Sequence, residues 1–164
     1  MCHLKYLALV IGLFSVVVGF NASAQKRTIG SVEYVQIEEA DNMPFLTRID
    51  TGAAKTSLHA FDLRVDDDAG RMQANIGKTI TFKTMNEKQQ FHTSRATIVG
   101  VQTIRNSQGK EQRYEVELTL TWQGQEKKVL VNLRNRQRMD YKLLIGRNWL
   151  AGDYLVDVEQ PPES

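Results

Sequence analysis

An aspartate, a threonine and a glycine stand together at Asp50-Thr51-Gly52, at the end of the apolar-alternating run Phe45-Leu46-Thr47-Arg48-Ile49. A carboxylate at a strand end can activate water, a hydroxyl beside it can lock the loop by hydrogen bonding, and a glycine lets the backbone turn sharply with no Cβ in the way. Three common residues in a row are a weak signal alone, since an aspartate capping a turn is common. Two features favour chemistry. The strand delivers Asp50 from what reads as a buried register, where a lone carboxylate is costly. Far downstream, Leu143-Leu144-Ile145-Gly146-Arg147-Asn148 offers apolar residues to brace such a loop, and Gly146 permits close approach of another backbone.

Other chemistries lack their residues. No Gly-x-Ser-x-Gly marks a serine nucleophile, no His-Glu-x-x-His marks a zinc peptidase, and no glycine-rich loop marks nucleotide binding. Beyond the first residues the only histidines are His59 and His92, too few for the three protein ligands usual in catalytic zinc sites. His92 alternates with Phe91 and Thr93 and reads as strand surface. His59, in Leu58-His59-Ala60, reads first as a hydrogen-bonded structural histidine. As a site residue it would tune the aspartates or recognise an acidic substrate. The 21 basic and 19 acidic residues nearly cancel, which gives no mandate for nucleic acid. The densest basic patch, Arg134, Arg136 and Arg138, reads as a solvated face.

The elements that must position Asp50 read as strands. Tyr114, Val116, Leu118, Leu120 and Trp122 alternate with Arg113, Glu115, Glu117, Thr119 and Thr121, a half-buried strand with its polar residues outward. Val129, Val131 and Leu133 follow a turn at Gln123-Gly124-Gln125, which predicts a hairpin. Ile80 and Phe82 mark another strand and Phe91 to Val99 a further one. Asp66-Asp67-Asp68-Ala69-Gly70 and Asn106-Ser107-Gln108-Gly109 are turn chemistry. Arg147 to Ala151 is the one helical turn expected. Tyr154, Val156 and Val158 alternate up to Pro161-Pro162. Short strands with regular turns must hide their edges, most simply in a small closed all-β barrel.

At the start, Lys5, the apolar run Leu7 to Phe20 and Ala22-Ser23-Ala24 form a signal-peptide pattern ending at residue 24. The run is shorter than the roughly 20 residues that span a bilayer. Removing 24 of the 164 residues leaves 140, one domain's worth over 25–164. Cys2 leaves with the leader, so neither disulfide nor thiol chemistry is expected. The expected location is periplasmic or secreted, with no membrane association after cleavage.

Asp50-Thr51-Gly52-Ala53 resembles the catalytic triplet of retropepsin-type aspartic peptidases with its usual fourth residue. Leu144-Ile145-Gly146-Arg147-Asn148 resembles that fold's hydrophobic-hydrophobic-glycine element and the short helix after it. Together with Thr56-Ser57-Leu58-His59-Ala60, these segments are similar to a bacterial family of small retropepsin-like proteins over most of residues 29–159. That family carries the label ATP-dependent zinc protease and is associated with enzymes of the glutamate-ligase type.

The resemblance implies a retropepsin-type barrel with one short C-terminal helical turn and an aspartic endopeptidase acting on peptides or proteins. It assigns catalysis to Asp50, Thr51 and Gly52, and binding to Ala53, His59, Ile145, Gly146 and Arg147, without metal or cofactor. One triplet per chain implies a homodimer, because this chemistry needs two carboxylates sharing one proton. Thr51 of each copy would fix the opposing loop, and the strand around Tyr154 to Val158 could join a dimer sheet. The alternatives are a non-catalytic module that holds an extended peptide and a zinc-dependent peptidase. Two departures stand out. Ala54 and Lys55 occupy places where viral enzymes carry acids, one of which pairs with the arginine of the second motif. No glycine-rich flap is visible, and Met85 to Gln90 is polar.

Overall fold

The protein is described here by a computed structural model covering residues 25–106 and 109–161. The leader expectation for residues 1–24 and the tip of the Asn106–Gly109 turn lie outside the described residues. Eleven strands and one helical turn follow in order: β1 (Arg27–Gly30), β2 (Val32–Ile37), β3 (Met43–Ile49), β4 (Thr56–His59), β5 (Phe61–Val65), β6 (Thr79–Met85), β7 (Phe91–Asn106), β8 (Gly109–Trp122), β9 (Gln125–Arg134), β10 (Leu143–Ile145), α1 (Arg147–Leu150) and β11 (Tyr154–Asp157). The all-β expectation holds. Two 3₁₀ turns, Glu38–Ala40 and Met72–Asn75, add to the single helical turn expected.

One sheet runs β2-β3-β10-β4-β9-β8-β7-β6-β5, and β2 also pairs with β8, so its first six strands close into a ring. Alternation drives this. Val116, Leu118, Leu120 and Trp122 of β8 and Val129, Val131 and Leu133 of β9 all point into the core. Each large apolar side chain so buried contributes about 1.5–3 kcal/mol. The hairpin between them turns at Gln123 and Gly124, whose φ values of 47 and 74 suit a two-residue turn matched to strand twist. Arg113 and Thr119, expected outward, are buried. Thr119 is covered where its N–H donates to Glu39, and Arg113 lies beside Asn132.

The chain's two ends pair with each other. β1 and β11 form a separate parallel two-stranded sheet in register from Arg27↔Tyr154 to Gly30↔Asp157. Tyr154 stacks on Trp149 of α1 at 4.3 Å and meets Trp122 edge-on at 5.6 Å, which ties this sheet to the ring. Glu33 reinforces the junction, accepting from the Gly30 N–H and from Trp122 Nε1. β11 stops at Asp157, short of Pro161, and leaves Leu155 and Val158 exposed.

β4 is buried along its whole length, because β10 and β9 flank it. His59 at its end is 2 % exposed. Its Nδ1 accepts the Arg136 backbone N–H at 3.0 Å, and its ring stacks on Phe61 at 5.3 Å. Burial, then the positive charge of Lys142, lowers its pKa below the usual 6.5. His59 is therefore held neutral. The stability this confers is complete above about pH 6.5 and drains away as pH falls toward the lowered folded value, where the native ring must also charge. His59→Gln should flatten the fall in unfolding free energy below that pH, as read from denaturant midpoints across an acidic series.

Gly146 has a second kind of constraint. Its φ of −100 is open to any residue, but a Cβ there would lie 2.6 Å from the Lys55 carbonyl carbon and 2.9 Å from the Ala53 oxygen. Backbone cannot yield as a side chain can. Gly146→Ala should cost about 1–3 kcal/mol, measured as a lower denaturant midpoint at unchanged slope.

Candidate active site

β3 and β10 run parallel, with Ile145 beside Ile49. Where β3 ends, the Asp50 N–H still donates to the Ile145 oxygen at 2.9 Å. The chain then leaves the sheet and curls back over its own carboxylate. Asp50 Oδ1 accepts from the Gly52 N–H at 2.8 Å and the Ala53 N–H at 3.2 Å. These two bonds fix the rotamer, and among the described residues no hydrogen bond reaches Oδ2. The buried side chains of β3 are Met43, Phe45, Thr47 and Ile49. Asp50 is therefore out of the buried register that the sequence suggested and is only half-buried. What holds it is the loop, not the core.

The loop is clamped along its length by the second motif. The Arg147 N–H donates to Ala53 O at 2.9 Å and the Asn148 N–H to Ala54 O at 3.3 Å. Arg147 Nη1 donates to the carbonyls of Thr51 and Gly52 at 2.9 and 2.8 Å. Arg147 thus finds backbone oxygens where an acidic side chain was missing from the sequence. Thr56 donates its N–H and its hydroxyl to Asn148 Oδ1, both at 2.9 Å, and its Oγ1 accepts the Gly146 N–H. The structure so brings Asp50, Thr51, Gly52, Ala53, Ile145, Gly146 and Arg147 together. Thr51 itself is exposed at the rim. His59 is not brought to the loop; it is buried at the end of β4, where its Nδ1 accepts the backbone N–H of Arg136, a residue that lines the neighbouring pocket.

That pocket, about 230 Å³, opens beside Ala53, Ala54 and Lys55 and is closed by Gln102 and Ile104 of β7, Arg113 of β8, and Arg134 and Arg136. Past a bulge between Ile98 and Gly100, β7 and β8 pair only with each other, as a ribbon bordering the Asp50 loop. The Met85–Gln90 segment folds onto Asn86, whose Oδ1 accepts from Lys88 and Gln90, and it is pinned to β3 by Glu87 accepting from Leu46.

The pocket is strongly positive. Lys55, Arg113, Arg134 and Arg136 line it, and the acids that reach them are Glu115, 3.3 Å from Lys55, and Glu111, on Arg113 and Arg134. Arg136 is 7 % exposed rather than solvated as its sequence context suggested. Among the described residues no ion pair reaches it. Burial, with Arg134 and Arg113 adding repulsion, brings its pKa down to about 10, and Asp50 lies close enough to oppose that fall. Sequence reasoning missed Arg113, Asn132, Thr56 and Asn148. Only the alternation of β8 could have hinted at Arg113, and it pointed the wrong way.

Among the described residues no group of three or more His, Cys, Asp or Glu side chains is placed to hold a metal ion. A zinc site at His59 does not fit, since its Nδ1 already takes the Arg136 N–H. No helix of the described residues is long and apolar enough to cross a membrane.

The chain is similar to several known proteins. The chain is 27 % identical over 139 residues to a Parasynechococcus marenigrum protein named "Probable alpha-L-glutamate ligase", which covers 82 % of this chain and 28 % of that protein. A Shewanella pealeana protein of the same name is 27 % identical over 143 residues, 87 % of this chain and 30 % of its own. The chain thus spans about a third of the length of these curated relatives. In fold it is similar to the crystal structure of Lpg0085, a Legionella pneumophila protein titled as of unknown function. The TM-score is 0.67 at 23 % identity, covering 83 % of this chain and 96 % of that one. Residues 28–161 match the RimB-like family, described as retropepsin-like aspartic endopeptidase RimB. The chain belongs to that family.

Proposed function

We propose that this protein is an aspartic endopeptidase that works as a homodimer on acidic peptide segments. The observation that carries the reading is the Asp50 carboxylate, held by the Gly52 and Ala53 N–H groups with one oxygen free on a rigidly braced loop. Two such carboxylates meeting across a twofold axis cannot both ionise comfortably, so they share a proton. The ionised one takes a proton from water as it attacks the scissile carbonyl, and the protonated one polarises the carbonyl oxygen. Self-pairing is supported by the exposed apolar Leu155 and Val158. They flank hollows that also contain Asp50 and Thr51, so a second copy would cover apolar surface and bring the second acid in one step. The leader pattern at residues 1–24 supports an activity outside the cytoplasm.

Acidic preference is supported by the pocket beside Ala53–Lys55. A buried Arg136 without a counter-ion is costly, and a substrate carboxylate would relieve that cost. The relatives' name, a ligase of glutamate, fits a substrate rich in that residue.

Asp50→Asn keeps an oxygen to accept the Gly52 N–H, so it should fold with wild-type stability while kcat falls by about 10²–10⁴-fold, the usual worth of a general acid–base group. Undiminished cleavage by that variant, or a strict monomer in the active fraction by sedimentation, would sink the twin-carboxylate mechanism and leave a peptide-binding module. Arg136→Gln should lower kcat/KM for a glutamate-rich peptide by about 10–100-fold, the scale of a lost charge-assisted bond. A matched glutamine-rich peptide should barely change. An equal fall for both peptides would make the arginine purely structural.

A further inference from the structure

Glu111 has no part in the reaction, yet it sits on the pocket's cations. Its two oxygens take Arg113 Nε and Nη2 at 2.9 and 2.6 Å, a bidentate grip, and Arg134 Nε stands 3.7 Å from Oε1. Arg113 is 8 % exposed, so its charge is shielded from water, whereas the Glu111 side chain is 40 % exposed on the open ribbon. Asn132 Oδ1 accepts from Arg113 Nη1 on the inner side and also from the Ser57 hydroxyl, which anchors the guanidinium to β4 and β9. Both residues lie on β8, where it pairs with β7, but the guanidinium is held from the ring side by Asn132, whereas the Glu111 carboxylate is held by the arginines and faces solvent, so it can swing away.

A carboxylate gripped by Arg113 and close to Arg134, two arginines that line the pocket, is the same group that an acidic substrate side chain would present. We propose that Glu111 is a built-in competitor, an internal carboxylate that occupies Arg113 and Arg134 at rest and is displaced by an acidic substrate residue. This rests on the acidic-peptide reading above. It assigns Glu111 a role in specificity. A lone or weakly acidic peptide must displace a tethered rival whose local concentration is high, while a peptide with several successive carboxylates gains enough contacts to win. The apparent affinity is lowered by the fraction of time the arginines are already occupied.

The test is the binding of fluorescently labelled hexaglutamate and hexaglutamine to the full chain, read by anisotropy and so independent of cleavage. Glu111→Gln should tighten hexaglutamate about fivefold to tenfold, as expected if the pair is closed most of the time. Hexaglutamine should bind equally weakly to both proteins, and Glu111→Asp, which keeps the charge, should stay near wild type. Glu117→Gln removes an equal charge from the outward face of the same strand and should change little. Glu111→Thr, a good strand former, provides the same comparison if the glutamine variant folds poorly. Unchanged or weaker hexaglutamate binding in Glu111→Gln would overturn the proposal, as would an equal gain in Glu117→Gln. Failure of the wild type to prefer hexaglutamate over hexaglutamine would instead overturn the acidic-peptide reading itself, and this proposal with it.

Discussion

The hydrogen-bonded contact between the Asp50–Thr56 loop and the Ile145–Asn148 segment is the constraint on which the rest depends. A carboxylate on an ordinary surface loop samples many positions and reacts poorly. Here the backbone of one segment is stitched to that of the other at Asp50, Ala53 and Ala54, and Arg147 and Asn148 add side-chain bonds on either flank. Preorganisation of this kind is what makes a weak nucleophile-activating group useful. It also explains the glycine at 146, since two backbones can come this close only where one of them lacks a side chain.

The electrostatics beside the loop are a second theme. Four cations line a small pocket, two acids reach three of them, and Arg136 is buried with no ion pair among the described residues. A fold optimised only for stability would place an apolar residue at that point. Retaining Arg136 there, with His59 spending its ring nitrogen on the Arg136 backbone, costs stability that the proposed recognition of an acidic substrate would offset. The same histidine thereby links the shape of the pocket to the burial of β4.

Much of this was legible in the residues. The alternation of β8 and β9, the Gln123-Gly124 turn and the paired motifs around Asp50 and Gly146 gave the strands, the hairpin and the loop with its brace, because each rests on local chemistry. The pocket was not legible. Arg113 stands at an outward-looking place in the alternation, but beyond Glu115 β8 leaves the ring and pairs with β7 alone, and there inside and outside exchange meaning. Arg136 sits among polar neighbours that mimic a solvated loop, and its anchors are non-local: its backbone N–H on His59 and its Nε on the Tyr141 carbonyl. The partner of Arg147 was hidden because carbonyl oxygens belong to every residue and leave no trace in a sequence. The closing strand was read correctly as a strand. Its pairing with β1 across the whole length of the chain could not be read, since parallel register carries no local signal.

The segments that make the loop rigid lie 90 to 96 residues from the residues they hold, and the final strand is needed to seat the aromatic stack beneath them. Contacts so distant along a chain form late in folding. A ribosome would thus release almost the entire polypeptide before the loop around the aspartate acquires its braced geometry, and prematurely terminated copies would lack it.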